Sequence, residues 1–128
     1  VGQHLPPDHS KGDEKTIGGW MAVHDRPAAF EGSDGLSYTV QIEVDETADT
    51  RAPFAAYFVF VRWSRGEPRV TGHRESPYLT KGGTADEARA RLGAQSLESA
   101  KRALDEAIAL HGPATDIPAW DREPEGGQ

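Results

Sequence analysis

The chain contains no cysteine, which removes disulfide frameworks, thiol nucleophiles and thiolate-bound zinc together and leaves the redox compartment unreadable. Long apolar runs are missing too. Nothing approaches the roughly 18 residues that a membrane-spanning helix needs, so no membrane insertion is expected. Positive charge is in deficit: 14 Lys and Arg against 21 Asp and Glu leave a net charge of -7. Non-specific nucleic-acid affinity comes largely from basic surface, so a nucleic-acid partner is not expected. Residues 1–19 lack the basic-then-apolar order of a secretory signal, which makes the cytoplasm the default expectation.

What remains is a 128-residue chain with 36% hydrophobic and 27% charged residues, the composition of one globular domain with polar appendages. Residues 1–19, with Pro6-Pro7, Lys11-Gly12-Asp13-Glu14-Lys15 and Gly18-Gly19, carry too little apolar surface to offset the entropy of ordering them and read as a flexible N-terminal tail. A single domain is expected over residues 20–111, followed by a polar tail over 112–128 in which Ile117, Pro118, Ala119 and Trp120 are able to fold back as a clip.

Within the domain, Trp20-Met21-Ala22-Val23 and the stretch through Pro27 to Phe30 read as an extended segment. Gly32-Ser33-Asp34-Gly35 is a turn. From Leu36 the pattern alternates, with Tyr38, Val40, Ile42 and Val44 on one face and Thr39, Gln41 and Glu43 on the other, which is a half-buried strand. Phe54-Ala55-Ala56-Tyr57-Phe58-Val59-Phe60-Val61-Arg62-Trp63 is different: it is apolar on both faces, as a central strand is. A turn at Ser64-Arg65-Gly66-Glu67-Pro68 leads to a polar edge strand through Glu75. Arg62, Arg65, Arg69 and Arg74, interrupted by Glu67 and Glu75, read as a solvated edge of mixed charge.

The period then changes. Thr84 and Glu87 are spaced as a capping box, so a helix is expected from Ala85, with a break at Gly93. Ser96 caps a second helix with the apolar face Leu97, Ala100, Leu104, Ala107 and Ile108. The expected fold is α+β: an antiparallel meander of three or four strands with a C-terminal helix or broken helix pair on one face. One helix layer covers one sheet face. Either Phe54, Phe58 and Phe60 or the set Tyr57, Val59, Val61 and Trp63 is left to find another lid, which the tails around Trp20 or Trp120, a second copy or a partner protein can supply. Trp63 reads first as core, then as an interface anchor.

Two pieces of this pattern, Tyr38-Thr39-Val40-Gln41-Ile42-Glu43-Val44-Asp45 as an opening strand and Gly82-Gly83-Thr84-Ala85-Asp86-Glu87-Ala88 as a helix entry, together resemble the HicB-type antitoxin domain over residues 38–92. The resemblance implies three antiparallel strands and a helix in a partial double-stranded-RNA-binding-domain fold. It also implies self-association and the blocking of a small ribonuclease toxin. The chain departs from the family pattern at Ser76-Pro77-Tyr78-Leu79, where a Pro-x-Leu-x-Gly turn belongs, and in its longer hairpin from Phe54 to Glu75.

No catalytic constellation is expected, and no cofactor. His73 and Glu75 point the same way on a strand and, with His24 and Asp25, form the one set able to assist a metal-dependent hydrolase. That set reproduces no recognised ligand spacing. His4, Asp8 and His9 fall in the tail, and Asp45, Glu46 and Asp49 lack the calcium-loop ladder. Lys81, Gly82, Gly83 and Thr84 place free donors at a helix start, a possible anion or nucleotide sensor, but the P-loop pattern is missing. Ser33, Ser37 and Ser76 have no nucleophile elbow, and His111 suits a helix C-terminus. The leading expectation is a small acidic non-catalytic domain that associates with a protein partner or with itself through Tyr57, Val59, Val61 and Trp63.

Overall fold

A computed structural model describes residues 7–66 and 69–111, the side chain of His111 excepted. It contains a 3-10 turn at His9–Lys11, helix α1 (Ile17–His24), strands β1 (Ala29–Glu31), β2 (Ser37–Glu46), β3 (Phe54–Trp63), β4 (Val70–Glu75) and β5 (Thr80–Gly82), and helices α2 (Ala85–Gly93) and α3 (Leu97–His111). The α+β expectation holds, with an antiparallel sheet and a broken C-terminal helix pair.

The strands follow one another across the sheet in the order β1-β2-β3-β4, and β5 pairs with β3 as well. β4 and β5 share one edge of β3: Val59 opposes Glu75, and Ala56 opposes Thr80. They are a single edge strand interrupted by residues 76–79. Four residues there face only Tyr57 and Phe58 on β3, a two-residue surplus. Ser76 holds the interruption together, its backbone N–H donating to Phe58 O and its hydroxyl accepting from Phe58 N–H at 2.9 Å.

The long pairing of β2 with β3 sets the faces. Val40 opposes Phe60 and Ile42 opposes Phe58, so Tyr38, Val40, Ile42, Ala56, Phe58 and Phe60 share one side, where α2 lies on β2 and β3 and α3 lies on β4. This side is the core, closed by Ala88, Leu92, Ala100, Leu104 and Ile108 from the helices. The alanines at 88 and 100 let helix backbone approach the phenylalanines closely.

Two segments differ from the sequence expectation. Trp20 to His24 is helical rather than extended, and the folded unit begins before Trp20: Ile17, placed in the flexible tail by composition, is fully buried. Local capping and one remote anchor explain this. The Thr16 hydroxyl accepts the Gly19 N–H at 3.0 Å, and Asp25 ends the helix in the left-handed region at φ 54 with its N–H on Met21 O. The remote anchor is a backbone clasp in which Ile17 N–H donates to Gln95 O and Leu97 N–H to Lys15 O. Composition reports neither. Gly18 permits the approach of α1 to α2, since a Cβ there would sit 3.3 Å from Gly93 O.

The four arginines do not form one solvated edge. Arg62 and Arg74 are 3% and 2% exposed, because both have the parity of Phe60 and so point into the helix side. Arg62 Nε and Nη2 donate to Thr71 Oγ1 and Thr71 O at 3.1 and 2.9 Å. Tyr38 lies among them. Its hydroxyl donates to Asp34 at 2.8 Å and is pushed above its usual value by burial first, then by that bond, with Arg62 opposing. Paired charge and hydrogen bonds are what allow guanidinium groups to sit at that depth.

Candidate functional site

β3 presents its even-numbered residues to the helices and its odd-numbered residues to the opposite side. Tyr57, Val59, Val61 and Trp63 therefore stand in a row on the second face, each only half-buried. Among the described residues no helix or strand lies on this face. The open question of which set the helices cover is resolved in favour of Phe54, Phe58 and Phe60. The reading of Trp63 as core is corrected, since its ring lies on the open face and Nε1 donates to Thr39 Oγ1 at 3.0 Å.

The row is an apolar ridge one strand wide. On the β2 side its neighbours are Ser37, Thr39, Gln41 and Glu43, and on the β4 side Val70, His73 and Glu75. Val70, 49% exposed, extends the ridge beside Trp63. At the other end Tyr78 meets Tyr57 edge-on, with ring centroids 5.7 Å apart, and donates from its hydroxyl to Asp45 Oδ2 at 2.8 Å. This end is acidic. Burial, followed by the carboxylates of Asp45, Glu75 and Glu43, pushes the Tyr57 hydroxyl above its usual value. The bond to Asp45 does the same to Tyr78. Carboxylates set around aromatic faces favour a cationic group in the partner.

The proposed metal ligands are not brought together. His73 and Glu75 do pair, at 3.3 Å, on the open face of β4. His24 is at the end of α1 on the helix side, stacked on Trp20 with ring centroids 3.8 Å apart and bonded through Nε2 to Glu14 at 2.9 Å. Asp25 is the helix cap rather than part of an extended segment. Among the described residues no group of three or more metal-ligating side chains converges. Asp8 caps the first turn through Ser10, and His9 joins His24 on the Glu14 carboxylate. His4 and Trp120, like the His111 side chain, lie outside the described residues.

The helix start at Gly82, Gly83 and Thr84 is occupied by its own cap. Thr84 Oγ1 accepts the Glu87 N–H at 3.1 Å, and Glu87 Oε1 accepts the Gly83 N–H at 2.7 Å. Two of the donors an anion would use are thus taken, and a carboxylate already stands there. Lys81 reaches Asp49 at 3.3 Å instead. Asp49 and Asp45 are held by Arg51 N–H and by Tyr78, and Ser76 by Phe58.

Sequence reasoning missed Val70, Tyr78 and Thr39 as members of the ridge. Thr39 had a usable signal in its parity opposite Val61. Tyr78 had none, because the two-residue surplus in the edge strand decides where it points. The chain matches no family model, no curated protein and no solved structure.

Proposed function

We propose that this chain is a non-catalytic interaction domain that binds a partner protein through the open face of β3. The observation that carries the reading is the row Tyr57, Val59, Val61 and Trp63, flanked by Val70 and Tyr78, on a face without a covering element among the described residues. Large aromatics on a strand-supported surface are the residue types that anchor interfaces. The carboxylates of Glu43, Asp45 and Glu75 make a partner with basic residues the complementary one.

The resemblance to HicB-type antitoxins names one such class. A small ribonuclease needs basic surface to hold RNA, and that surface is what the acidic end of the ridge would engage. The order of strands and helix from β2 to α2 is compatible with this reading. With its net charge of -7, the domain is unsuited to binding nucleic acid itself. No described helix is long and apolar enough to cross a membrane.

Affinity capture from the native organism tests the proposal, using wild type beside Val61→Arg and Glu75→Lys. Both substitutions lie on the open face, so the melting temperatures should stay close to wild type. A partner rich in basic residues should be retained by wild type and lost by Val61→Arg. Identical capture by all three proteins, or a monomer that retains nothing, would sink the reading.

A further inference from the structure

β2 is ten residues long, but β1 pairs only with Ser37, Tyr38 and Thr39. The Val40 N–H still bonds Ala28 O at 3.1 Å, and there the chain turns away toward Pro27 and α1. In an antiparallel ladder the peptide groups of one parity face one neighbour and those of the other parity face the opposite neighbour. The Val40 bond fixes that alternation: the N–H and C=O groups of Ile42 and Val44 point away from β3. Among the described residues no strand takes them. Among these residues only Ile42 O is seen to be engaged, accepting from Arg89 Nη1 at 2.8 Å.

Beside this edge lies a cleft of about 700 Å3 lined by Gly18 and Met21 of α1, Pro27, Ile42, Arg89 and Ala90 of α2, and Ala94 just past the end of that helix. Its lining is largely apolar, though Gln41, Glu43 and Arg89 also border it. Met21 is 38% exposed there. An unpaired strand edge is costly to leave open unless it is blunted or used. Arg89 blunts one carbonyl. Among the described residues Ile42 N–H, Val44 N–H and Val44 O have no partner.

We propose that this edge is a strand-addition site for an extended peptide segment of a partner protein, whose apolar side chain fills the cleft between β2, α1 and α2. Main-chain bonds supply the affinity in such docking and side-chain pockets the selectivity. The added strand continues the line of β1, in the position β1 itself would hold if Pro27 did not divert the chain. The peptide residue opposite Val44 exchanges two hydrogen bonds with it, and a carbonyl two residues along accepts from Ile42 N–H. Alternation of side chains then sends one into the cleft, where Met21, Pro27 and Ala90 select an uncharged apolar group. A lone peptide strand brings nothing to meet α1 and the Pro27 connection, whereas the edge of a second copy arrives with its own Pro27 connection and α1 attached. The site is separate from the ridge on β3, so the two proposals fail independently.

The test is selection of a random phage-displayed heptapeptide library on the full chain, followed by binding and amide exchange with the enriched synthetic peptides. Enriched peptides should share apolar residues at alternate positions and slow exchange at the Ile42 and Val44 amides. Ala90→Trp, a substitution at an exposed helix position that fills the cleft, should weaken them at least tenfold, while Val61→Arg leaves them unchanged. Val44→Pro provides an independent variant, because it removes an outward-facing donor at an edge where proline is tolerated. It should weaken binding to a similar degree. Four results would overturn the proposal. They are failure to enrich any peptide, peptides indifferent to both variants, Ile42 and Val44 amides already protected in the peptide-free monomer, and a wild-type dimer that Ala90→Trp dissociates, which would make a second copy the occupant.

Discussion

Single side chains in this fold are decided by parity and by what stands opposite. Arg62 reads as surface from its composition and neighbours, yet it follows Phe58 and Phe60 at the same two-residue interval and goes where they go. Tyr38 then ties the buried pair of arginines to Asp34. Tyr38→Phe removes the bond to that carboxylate and should cost about 0.5–1.5 kcal/mol in a denaturant titration, because the ring still fills its place. Glu14 is another residue with a readable charge effect. Bonds first from His24 and then from His9 hold its carboxyl below the ordinary value of 4.5. A depressed folded-state value means that the stabilisation is complete above the unfolded value and is lost as pH falls through the folded one. Melting temperature should therefore drop more steeply below about pH 4.5 in wild type than in Glu14→Gln. A parallel decline in the two proteins would show that the histidine contacts contribute nothing. Parity was visible in the sequence, and so was the side of the sheet that each β2 residue occupies. The meeting of His9, His24 and Glu14 was not, because it depends on how the N-terminal segment lies along α1.

At the level of elements, the strongest local signals gave the right answer. The Thr84 and Glu87 spacing forms the capping box it predicts, and Ser96 caps α3, its hydroxyl accepting the Ser99 N–H at 3.0 Å. Thr84→Ala should cost about 1 kcal/mol, and thermal melting will show it. Gly82→Ala should cost more: a Cβ there would meet Ala88 N at 2.7 Å and the Glu87 side chain at 2.9 Å. An unchanged melting temperature for Gly82→Ala would mean that β5 and α2 approach less closely than described. The elements that escaped sequence reading are α1 and β5. Each is short, eight residues or fewer, and each depends on a partner distant in sequence. α1 carries a Gly-Gly pair and two β-branched residues, Ile17 and Val23, poor intrinsic helix formers. It is held by Thr16 at its start and by the backbone clasp to residues 95–97.

For the molecule as a whole, the doubly apolar β3 announces a sheet with two demands, and only one is met by the helices. Truncating one side chain on each side measures the difference. Phe60→Ala, from a fully buried position, should cost about 3–5 kcal/mol. Val61→Ala, on the ridge, should cost well under 1.5 kcal/mol, since a half-exposed side chain has less surface to lose. Comparable losses at the two positions would show that the second face is sealed in solution. The layered architecture was legible because alternation and the α3 apolar face are long, regular signals. The choice of face was not, since both sets of β3 side chains are apolar enough to serve. The face taken is the one where Arg74 and Tyr38 are buried beside the alanines of α2 and α3.

The surplus of residues 76–79 over Tyr57 and Phe58 has an arithmetic of its own. The excess is two, which is one full pleat, so β5 resumes with its side chains facing as they would had the strand never paused. Excising Pro77 and Tyr78 would therefore fuse β4 and β5 without inverting either, whereas removing one residue would turn Thr80, Lys81 and Gly82 over and drive Lys81 toward the core. At this interruption the edge keeps its side chains facing the same way only when its length changes in steps of two.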